Sequence, residues 1–266
     1  MNYELITSEK RGTVALITLN RPDKLNAWTP AMAVEQAHAI EEANGDASIG
    51  AIVMTGAGRG FCAGADMEAT FQSRIDGVDP GDNTAGGSGG MPASVDWVAL
   101  LRRSKPIIAA VNGAAVGIGM TMVLPCDVVI ASEKAKFGML FIKVGLVPEL
   151  ASTHFLVSRI GFGRASEMCL SGKLYSGSQA YEMGLADQLC APEDLLATAL
   201  ALATTIAENP DRQLRMTKEL LSRNAAETDL DRVQRLESEL LRECWKSPEH
   251  KEAVSAFLAK RPAKFR

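Results

Sequence analysis

The apolar run from Ile49 to Met54 is followed by the stretch Thr55-Gly56-Ala57-Gly58-Arg59-Gly60-Phe61-Cys62-Ala63-Gly64-Ala65-Asp66-Met67. A short apolar run that ends in a glycine-punctuated segment is typical of a buried strand followed by a loop. The backbone N–H groups of such a loop are free to face a ligand. The sequence therefore predicts a buried strand whose following loop presents N–H donors.

A second strand and turn of the same kind lie further along the chain. The run Ile107 to Val111 precedes Asn112-Gly113, and the chain then enters Val116-Gly117-Ile118-Gly119-Met120-Thr121-Met122-Val123-Leu124. These glycines open an apolar helix, whose first N–H groups are unpaired and carry partial positive charge. One N–H from each turn would form a site for a developing enolate oxygen, and losing one such donor typically costs roughly 3 kcal/mol of barrier.

The rest of the chain predicts an α/β fold. Further short apolar strands, Val14 to Leu19 and Val128 to Ala131, alternate with helical patterns, which indicates crossover units and parallel sheets. Met1 to Ile6 alternates like a strand. With 266 residues, 47% of them apolar, the chain can form one large core with or without a small appendage. After Asn209-Pro210 it becomes helical and charged, so we divide it into a core, 1–200, and a C-terminal helical region, 201–266.

Several motifs carry a resemblance to a known family, and together they span nearly the whole chain. They are Asn20-Arg21-Pro22-Asp23-Lys24-Leu25-Asn26-Ala27, Phe61-Cys62-Ala63-Gly64-Ala65-Asp66, Lys105-Pro106-Ile107-Ile108-Ala109-Ala110-Val111-Asn112-Gly113, Cys126-Asp127 and Phe137-Gly138. The chain resembles the crotonase family, the enoyl-CoA hydratase/isomerase superfamily. The resemblance implies an α/β spiral core of repeated ββα units, a C-terminal helical trimerisation region and an acyl-CoA thioester substrate. Coenzyme A is then part of the substrate, and no separate cofactor is expected.

The resemblance also implies site residues. It assigns the oxyanion-hole amides to Ala65 and Ile118, and contacts with coenzyme A to Lys24, Ala27, Ala63, Asp66, Met67, Phe257 and Lys260. By default Lys24 would instead be a solvated loop lysine. Hydratases of this family carry two glutamates, whose counterparts here are Thr121 and Phe141. Neither side chain exchanges a proton near pH 7, so water addition by two carboxylates is not predicted.

A single carboxylate, Glu149 in Gly145-Leu146-Val147-Pro148-Glu149, resembles the lone acid of Δ3,Δ2-enoyl-CoA isomerases. One carboxylate suffices for a 1,3-proton shift, since it can take a proton from C2 and return it at C4. We therefore predict isomerisation of a 3-enoyl-CoA. The alternatives are a hydratase or hydrolase that uses Glu149 with water, and a non-catalytic acyl-CoA-binding scaffold, which would have no use for a desolvated carboxylate.

Two local alternatives to these roles remain open at the level of sequence. Glu149 follows Pro148 and could be only a first-turn glutamate that the helix dipole favours. Gly117 and Gly119 could serve only close helix packing.

The C-terminal helices, with apolar residues at helical spacing (Leu236, Leu240, Leu241 and Trp245), are predicted to pack between subunits as a trimer or a dimer of trimers.

Composition argues against other classes of protein. A formal charge of −4 excludes a strongly basic nucleic-acid surface. The 5 cysteines include no CxxC pair, and the 3 histidines are scattered, so neither a disulfide framework nor a metal site is predicted. His154 is interpreted as a core or subunit-contact histidine. Cys62 is interpreted as a small buried apolar residue rather than an acyl acceptor.

The remaining patterns exclude two motifs and predict a location. Gly86-Gly87-Ser88-Gly89-Gly90 fits a nucleophile elbow but lies in a glycine-rich segment, Asp76 to Pro92, that we interpret as a flexible loop near the site. Gly56-Ala57-Gly58 begins like a dinucleotide fingerprint, but Phe61 stands where the third glycine belongs. No stretch approaches the ~20 apolar residues of a membrane span, and no signal pattern opens the chain, so a cytoplasmic protein is predicted.

Overall fold

The strands of this chain form two sheets in a computed structural model that describes residues 1–72, 91–92 and 94–266. In these residues the strands are β1 Ile6–Arg11, β2 Val14–Leu19, β3 Ala51–Gly56, β4 Gly60–Cys62, β5 Ile107–Val111, β6 Ala114–Val116, β7 Val128–Ser132, β8 Lys136–Gly138, β9 Tyr175–Ser176 and β10 Gln188–Cys190. The α-helices are α1 Pro30–Gly45, α2 Trp97–Arg103, α3 Ile118–Thr121, α4 Ser152–Ser171, α5 Gly177–Glu182, α6 Leu195–Ala207, α7 Asp211–Asn224, α8 Leu230–Trp245 and α9 Pro248–Leu258. Short 3-10 helices cover Pro22–Lys24 and Leu140–Val144, and a π-helical turn covers Glu68–Gln72.

The larger sheet has the order β1-β2-β3-β5-β7-β10 and the smaller one the order β4-β6-β8-β9. In the larger sheet only the pair β1 and β2 is antiparallel, and in the smaller only β8 and β9. Each of the strands β3, β5 and β7 is followed by a short strand of the second sheet. The pairs β5-β6 and β7-β8 then lead into helices α3 and α4, which is the repeated ββα unit that the family resemblance implies.

The predicted strands of the large sheet are present. β2 and β5 have the predicted bounds, β3 lies two residues later than expected, and β7 extends to Ser132. All residues of β3 and β5 are buried because helices cover both faces of this parallel sheet. The continuous apolar runs in the sequence therefore indicated strands buried on both sides.

The strand predicted over Met1 to Ile6 is wrong, because β1 begins at Ile6. The carboxylate of Glu35, which is buried on α1, accepts hydrogen bonds from the backbone N–H groups of Glu4, Leu5 and Ile6. A side chain thus satisfies the donors that a strand partner would otherwise take. The alternating pattern could not reveal this competitor, which lies about thirty residues along the chain from them.

Helix α6 covers one face of the large sheet. Its buried residues Leu195, Ala199, Ala203 and Ala207 form one cluster with the side chains of β2, β3, β5 and β7 that face it. The boundary predicted after residue 200 falls within this helix. The packing of Ala203 and Ala207 on the sheet continues the core to the end of α6.

The C-terminal region forms three helices, α7 to α9, whereas its helical and charged sequence predicts two stretches, Asp211 to Lys246 and Pro248 to Lys260. The break inside the first stretch is at Asp229, whose side chain caps α8 by accepting from the N–H groups of Asp231 and Arg232. Large apolar side chains remain exposed on these helices, among them Trp245 (57%) and Phe257 (83%).

The glycine-rich segment Asp76 to Pro92, including Gly86 to Gly90, lies outside the described residues except for Met91 and Pro92. Among the helices that the structure describes, none combines the length and the apolar character needed to cross a bilayer.

Candidate active site

A cavity of about 410 Å³ opens where the second sheet meets the segment that leads to α4. Its walls come from the loop after β4, the start of α3 and the residues from Leu140 to Glu149. The lining residues are Trp28, Ala63, Gly64, Ala65, Met67, Thr70, Phe71, Val116, Gly117, Ile118, Leu140, Phe141, Val144, Leu146, Val147 and Glu149. Most of these side chains are apolar, and Glu149 is the ionisable residue among them.

Ala65 lies in a short stretch of backbone that pairs with Trp28. The Trp28 N–H donates to Gly64 O (2.8 Å), and the Asp66 N–H donates to Trp28 O (2.8 Å). Because backbone groups alternate in direction along an extended chain, the N–H of Ala65 points away from this pairing. Gly64, with φ of +113°, makes the bend that allows this arrangement.

Ile118 is the first residue of α3, so its N–H has no acceptor within the helix. Gly117 precedes it with φ of +55° and ψ of −124°, a conformation that L side chains rarely adopt. A Cβ at Gly119 would lie 2.1 Å from Cys62 O. Gly117 therefore serves the turn, whereas Gly119 serves close packing of α3 on β4.

The parallel pairing of β4 with β6 brings the two loops together. Ala65 follows β4 and Ile118 follows β6, and a Cβ on Gly64 would lie 3.5 Å from Val116 O. The sequence alone predicts that the two N–H groups lie on turns directly after β3 and β5, which is wrong by one short strand in each case. Strands of three residues leave too short an apolar pattern to be recognised.

Two side-chain amides that the sequence alone did not single out, the buried Asn26 and the half-buried Asn112, hold the first loop. Asn26, with φ of +55°, donates from Nδ2 to Ala57 O (2.9 Å) and Gly60 O (2.8 Å). Asn112 donates from Nδ2 to Gly56 O (2.9 Å). Both asparagines stand in motifs that were quoted for the resemblance, and carbonyls of a glycine-rich loop need such donors when they are buried.

Glu149 is bound on one side by Thr121. The Thr121 hydroxyl donates to Oε1 of Glu149 (2.5 Å), while Oε2 is buried with no hydrogen-bond partner in the described part of the chain. Burial raises the pKa of Glu149 to about 7, against the lowering effect of the Thr121 hydrogen bond. This carboxyl can therefore both accept and donate a proton near neutral pH.

Glu149 does not belong to a helix. Helix α4 begins at Ser152, and the two residues between, Leu150 (φ 55°) and Ala151 (φ 52°), are left-handed. The alternative of a first-turn glutamate held by the helix dipole is therefore wrong. Two successive non-glycine residues in this conformation carry backbone strain, which often marks a functional site.

The residues at the two other family glutamate positions differ in their roles. Phe141 lines the cavity and keeps that wall apolar. Thr121 is fully buried and bonds to Glu149, so it is a partner of the carboxylate rather than part of an apolar wall. The sequence alone did not predict this contact, because Thr121 and Glu149 lie on different structural elements.

The residues expected to contact coenzyme A fall into two groups. Ala63 and Met67 line the cavity, and Lys24 and Ala27 lie in the segment that pairs with its loop. Asp66 forms an ion pair with Arg21 (3.0 Å) beside them. The remaining two, Phe257 and Lys260, lie exposed on and just beyond α9 and are not part of the cavity wall.

Other candidate groups are remote from proton transfer or unreactive. Cys62 is fully buried, its Sγ donates to Gly64 O (3.7 Å), and burial raises its thiol pKa to about 12, so it is no acyl acceptor. His154 is exposed on α4 and is therefore not a core histidine. In the described residues no group of three or more His, Cys, Asp or Glu side chains could hold a metal ion.

Comparison with known proteins places the chain in a family. The family model described as enoyl-CoA hydratase/isomerase matches residues 9–266. The chain is 38% identical to 1,2-epoxyphenylacetyl-CoA isomerase of Escherichia coli (strain K12), over 98% of each protein. It is 35% identical to a probable enoyl-CoA hydratase of Rhizobium meliloti (strain 1021), over 100% of this chain and 99% of the relative.

A solved structure supports the same assignment. An enoyl-CoA hydratase from Polaromonas sp. JS666 superposes with a TM-score of 0.88 at 28% identity, over 98% of this chain and 99% of that one. The chain therefore belongs to the enoyl-CoA hydratase/isomerase family and is an enzyme of the crotonase fold.

Proposed function

We propose that this enzyme converts a 3-enoyl-CoA to the 2-enoyl-CoA by a proton shift that Glu149 carries out. The observation that carries the proposal is the carboxyl group of Glu149, the single one that the described residues place in a largely apolar cavity wall. One of its oxygens is held by Thr121, the other has no partner among those residues, and its pKa is about 7. An acyl-CoA thioester as substrate is consistent with the family.

The thioester oxygen would bind between the N–H groups of Ala65 and Ile118. As a proton leaves C2, negative charge develops on this oxygen, and two preorganised donors stabilise the resulting enolate. The uncharged walls of the cavity strengthen this interaction because little water competes for the donors.

Glu149 would act first as base and then as acid. Oε2, which has no partner in the described residues, takes the proton from C2, and the electron pair moves into the enolate. The same carboxyl group returns the proton to C4 as the enolate collapses, and the double bond ends between C2 and C3. A pKa near 7 suits both steps, because neither protonation state of Glu149 is strongly disfavoured at neutral pH.

Hydration is the alternative within the family, and relatives of this chain are named as probable hydratases. Addition of water across a double bond requires water to be held and protons to be handled on both sides of the new bond. Phe141 lines the cavity where family hydratases have a second glutamate, so no carboxylate stands there to orient water. Isomerisation needs only the group that is present.

The test compares two substrates with the same enzyme. Isomerisation of trans-3-hexenoyl-CoA creates a conjugated thioester and raises ultraviolet absorbance, whereas hydration of crotonyl-CoA removes conjugation and lowers it. We expect isomerisation of trans-3-hexenoyl-CoA to be faster than hydration of crotonyl-CoA by about two orders of magnitude or more. This is the usual scale for a missing general acid–base group. If crotonyl-CoA is hydrated as fast as any 3-enoyl-CoA is isomerised, the proposal is wrong.

We also infer that the enzyme works as a homotrimer or a dimer of trimers. The exposed apolar side chains of α8 and α9, including Leu241, Trp245 and Phe257, form a surface that one chain leaves uncovered. Phe257 and Lys260 lie outside the cavity wall of their own chain. We expect them to contact coenzyme A that is bound to a neighbouring subunit.

A further inference from the structure

Two buried polar side chains in the cavity wall lack partners, and neither takes part in the proton shift. Trp28 is 0% exposed and Thr70 is 1% exposed, and both line the same cavity as Ala65 and Glu149. Within the described residues, Nε1 of Trp28 and Oγ1 of Thr70 have no hydrogen-bond partner. Unpaired polar atoms in such a position are uncommon in folded proteins, and each calls for an explanation.

The surrounding structure satisfies two comparable groups elsewhere. Trp97, also buried, donates from Nε1 to Met122 O (3.0 Å), and the buried Thr55 donates from Oγ1 to Ala110 O (2.9 Å). The fold therefore supplies acceptors to an indole and a hydroxyl of the same kind. Trp28 and Thr70 differ from this pair in that both residues line the cavity.

The backbone links these two residues to the candidate oxyanion loop. Trp28 pairs with Ala65, the Asp66 N–H donates to Trp28 O, and the Thr70 N–H donates to Asp66 O (2.9 Å). Thr70 thus lies one helical turn beyond the loop that would bind the thioester oxygen. A ligand that enters the cavity with its thioester at Ala65 would bring its acyl chain towards these two side chains.

An indole N–H is a donor only, and a threonine hydroxyl can donate as well. The ligand atom that suits both is a hydrogen-bond acceptor, and in an acyl chain that atom is oxygen. We propose that Trp28 and Thr70 recognise an oxygen atom on the acyl part of the substrate, so that this enzyme acts on oxygenated acyl-CoA thioesters. The inference rests on the proposed binding of an acyl-CoA in this cavity and specifies the class of acyl group.

The remaining wall explains why such an oxygen would be selective. Apart from Glu149, the side chains around it include Phe71, Val116 and Leu140, which offer no hydrogen bond. A hydrocarbon acyl chain would leave both polar atoms unpaired and dry, whereas an oxygenated chain would satisfy them. A site with polar groups discriminates strongly against a ligand that lacks their partner.

The test measures binding of saturated acyl-CoA thioesters, which cannot isomerise, by calorimetry to the wild-type protein. Hexanoyl-CoA is compared with 4-oxohexanoyl-CoA, 5-oxohexanoyl-CoA and 6-hydroxyhexanoyl-CoA, so that carbonyl and hydroxyl oxygens are distinguished. We expect at least one oxygenated ligand to bind about tenfold more tightly, the ratio that corresponds to one well-made hydrogen bond. Equal affinity for the whole series overturns the inference without any variant having to fold.

Trp28→Phe and Thr70→Val identify the groups responsible, because each removes the polar atom, Thr70→Val with little change of shape and Trp28→Phe with the loss of one ring. We expect each variant to lose most of the preference for oxygen, measured as the ratio of its affinity for the oxygenated ligand to its affinity for hexanoyl-CoA. Thr55→Val is the matched control: it removes a hydroxyl that already has an acceptor and should lower thermal stability but leave the preference unchanged. If the preference survives in both cavity variants, a bound water satisfies these atoms and the inference is wrong.

These outcomes are distinct from failure of the proposed function. Binding of saturated ligands requires no turnover, so a protein that does not isomerise trans-3-hexenoyl-CoA still reports on the oxygen preference. Conversely, a protein that isomerises this substrate but binds all saturated ligands equally retains the proposed function and loses only the inference about the acyl group.

Discussion

Thr121 and Glu149 form a 2.5 Å hydrogen bond in which the Thr121 hydroxyl donates to Oε1 and leaves Oε2 without a partner in the described residues. The hydroxyl also lies within 3.3 Å of Ile118 O at the start of α3. The carboxylate is thus fixed to the helix whose first N–H is a candidate oxyanion donor. This contact orients the candidate base relative to the place where the enolate would form.

Replacement of the candidate base should abolish most of the activity. Glu149→Gln keeps the shape of the side chain but cannot accept the C2 proton, so we expect kcat to fall by at least ~100-fold while acyl-CoA affinity changes little. Steady-state kinetics with trans-3-hexenoyl-CoA and a binding measurement with hexanoyl-CoA separate the two effects. Glu133→Gln, an exposed glutamate outside the cavity, is the control and should leave turnover intact. Normal turnover in Glu149→Gln would rule out this base.

The hydroxyl of Thr121 should set the pH dependence of activity. The base must be ionised, so kcat/KM should decline as the pH falls through about 7, the pKa of Glu149. The Thr121 hydrogen bond lowers this pKa, and Thr121→Val removes it, so the acid limb should move to higher pH. Thr121→Ser keeps a hydroxyl and should retain the wild-type profile. Identical acid limbs in wild type and Thr121→Val would mean that another group controls the profile.

Glu149 should also make the folded protein less stable as the pH rises. Its pKa is raised from 4.5 to about 7 on folding, so between these values the folded state holds a proton that the unfolded state has lost. Stability from this group is therefore full below about pH 4.5, declines as the pH rises to about 7, and stays low above it. Glu149→Gln should remove this pH-dependent component. The free energy of unfolding of the variant, relative to that of wild type, should therefore be higher at pH 8 than at pH 5 by roughly 1–3 kcal/mol. Thermal unfolding at both pH values checks the difference. The prediction is refuted if the stability of the variant changes with pH as that of wild type does.

Close packing at Gly119 should be intolerant of a methyl group. A Cβ there would lie 2.1 Å from Cys62 O, which belongs to backbone and cannot move without displacing β4. We expect Gly119→Ala to lower Tm and to impair activity by shifting Ile118 relative to Ala65. Gly163→Ala is the matched control on α4: a Cβ there meets nothing within 4 Å, so that variant should keep both Tm and activity. Equal behaviour of the two variants would contradict the proposed packing role.

The exposed apolar side chains of the C-terminal helices should hold subunits together. Trp245 is 57% exposed on α8, so Trp245→Glu would place a charge in any interface formed there. We expect light scattering to give a trimer or hexamer for wild type and a smaller species for this variant. Glu239→Gln provides a neutral change on the same helix that should preserve assembly. A monomeric wild-type protein at micromolar concentration would contradict the proposed assembly.

The sequence by itself determined the features that depend on neighbouring residues. Continuous apolar runs specify β2, β3, β5 and β7, since a strand buried on both faces has no polar alternation. Gly117 marks a backbone conformation that side chains rarely adopt, and the resemblance to isomerases with a lone acid indicates Glu149 as the candidate base. These properties are local or compositional, so they can be recognised from the sequence alone.

Only the tertiary structure decided the relationships that join distant segments. The pairing of β4 with β6 brings Ala65 beside Ile118, although neither strand is long enough to show a pattern. The partnership of Thr121 with Glu149 arises because α3 and the segment before α4 meet at the cavity. The elevated pKa of Glu149 has the same origin, because desolvation depends on what surrounds a carboxyl group in space and not on its neighbours along the chain.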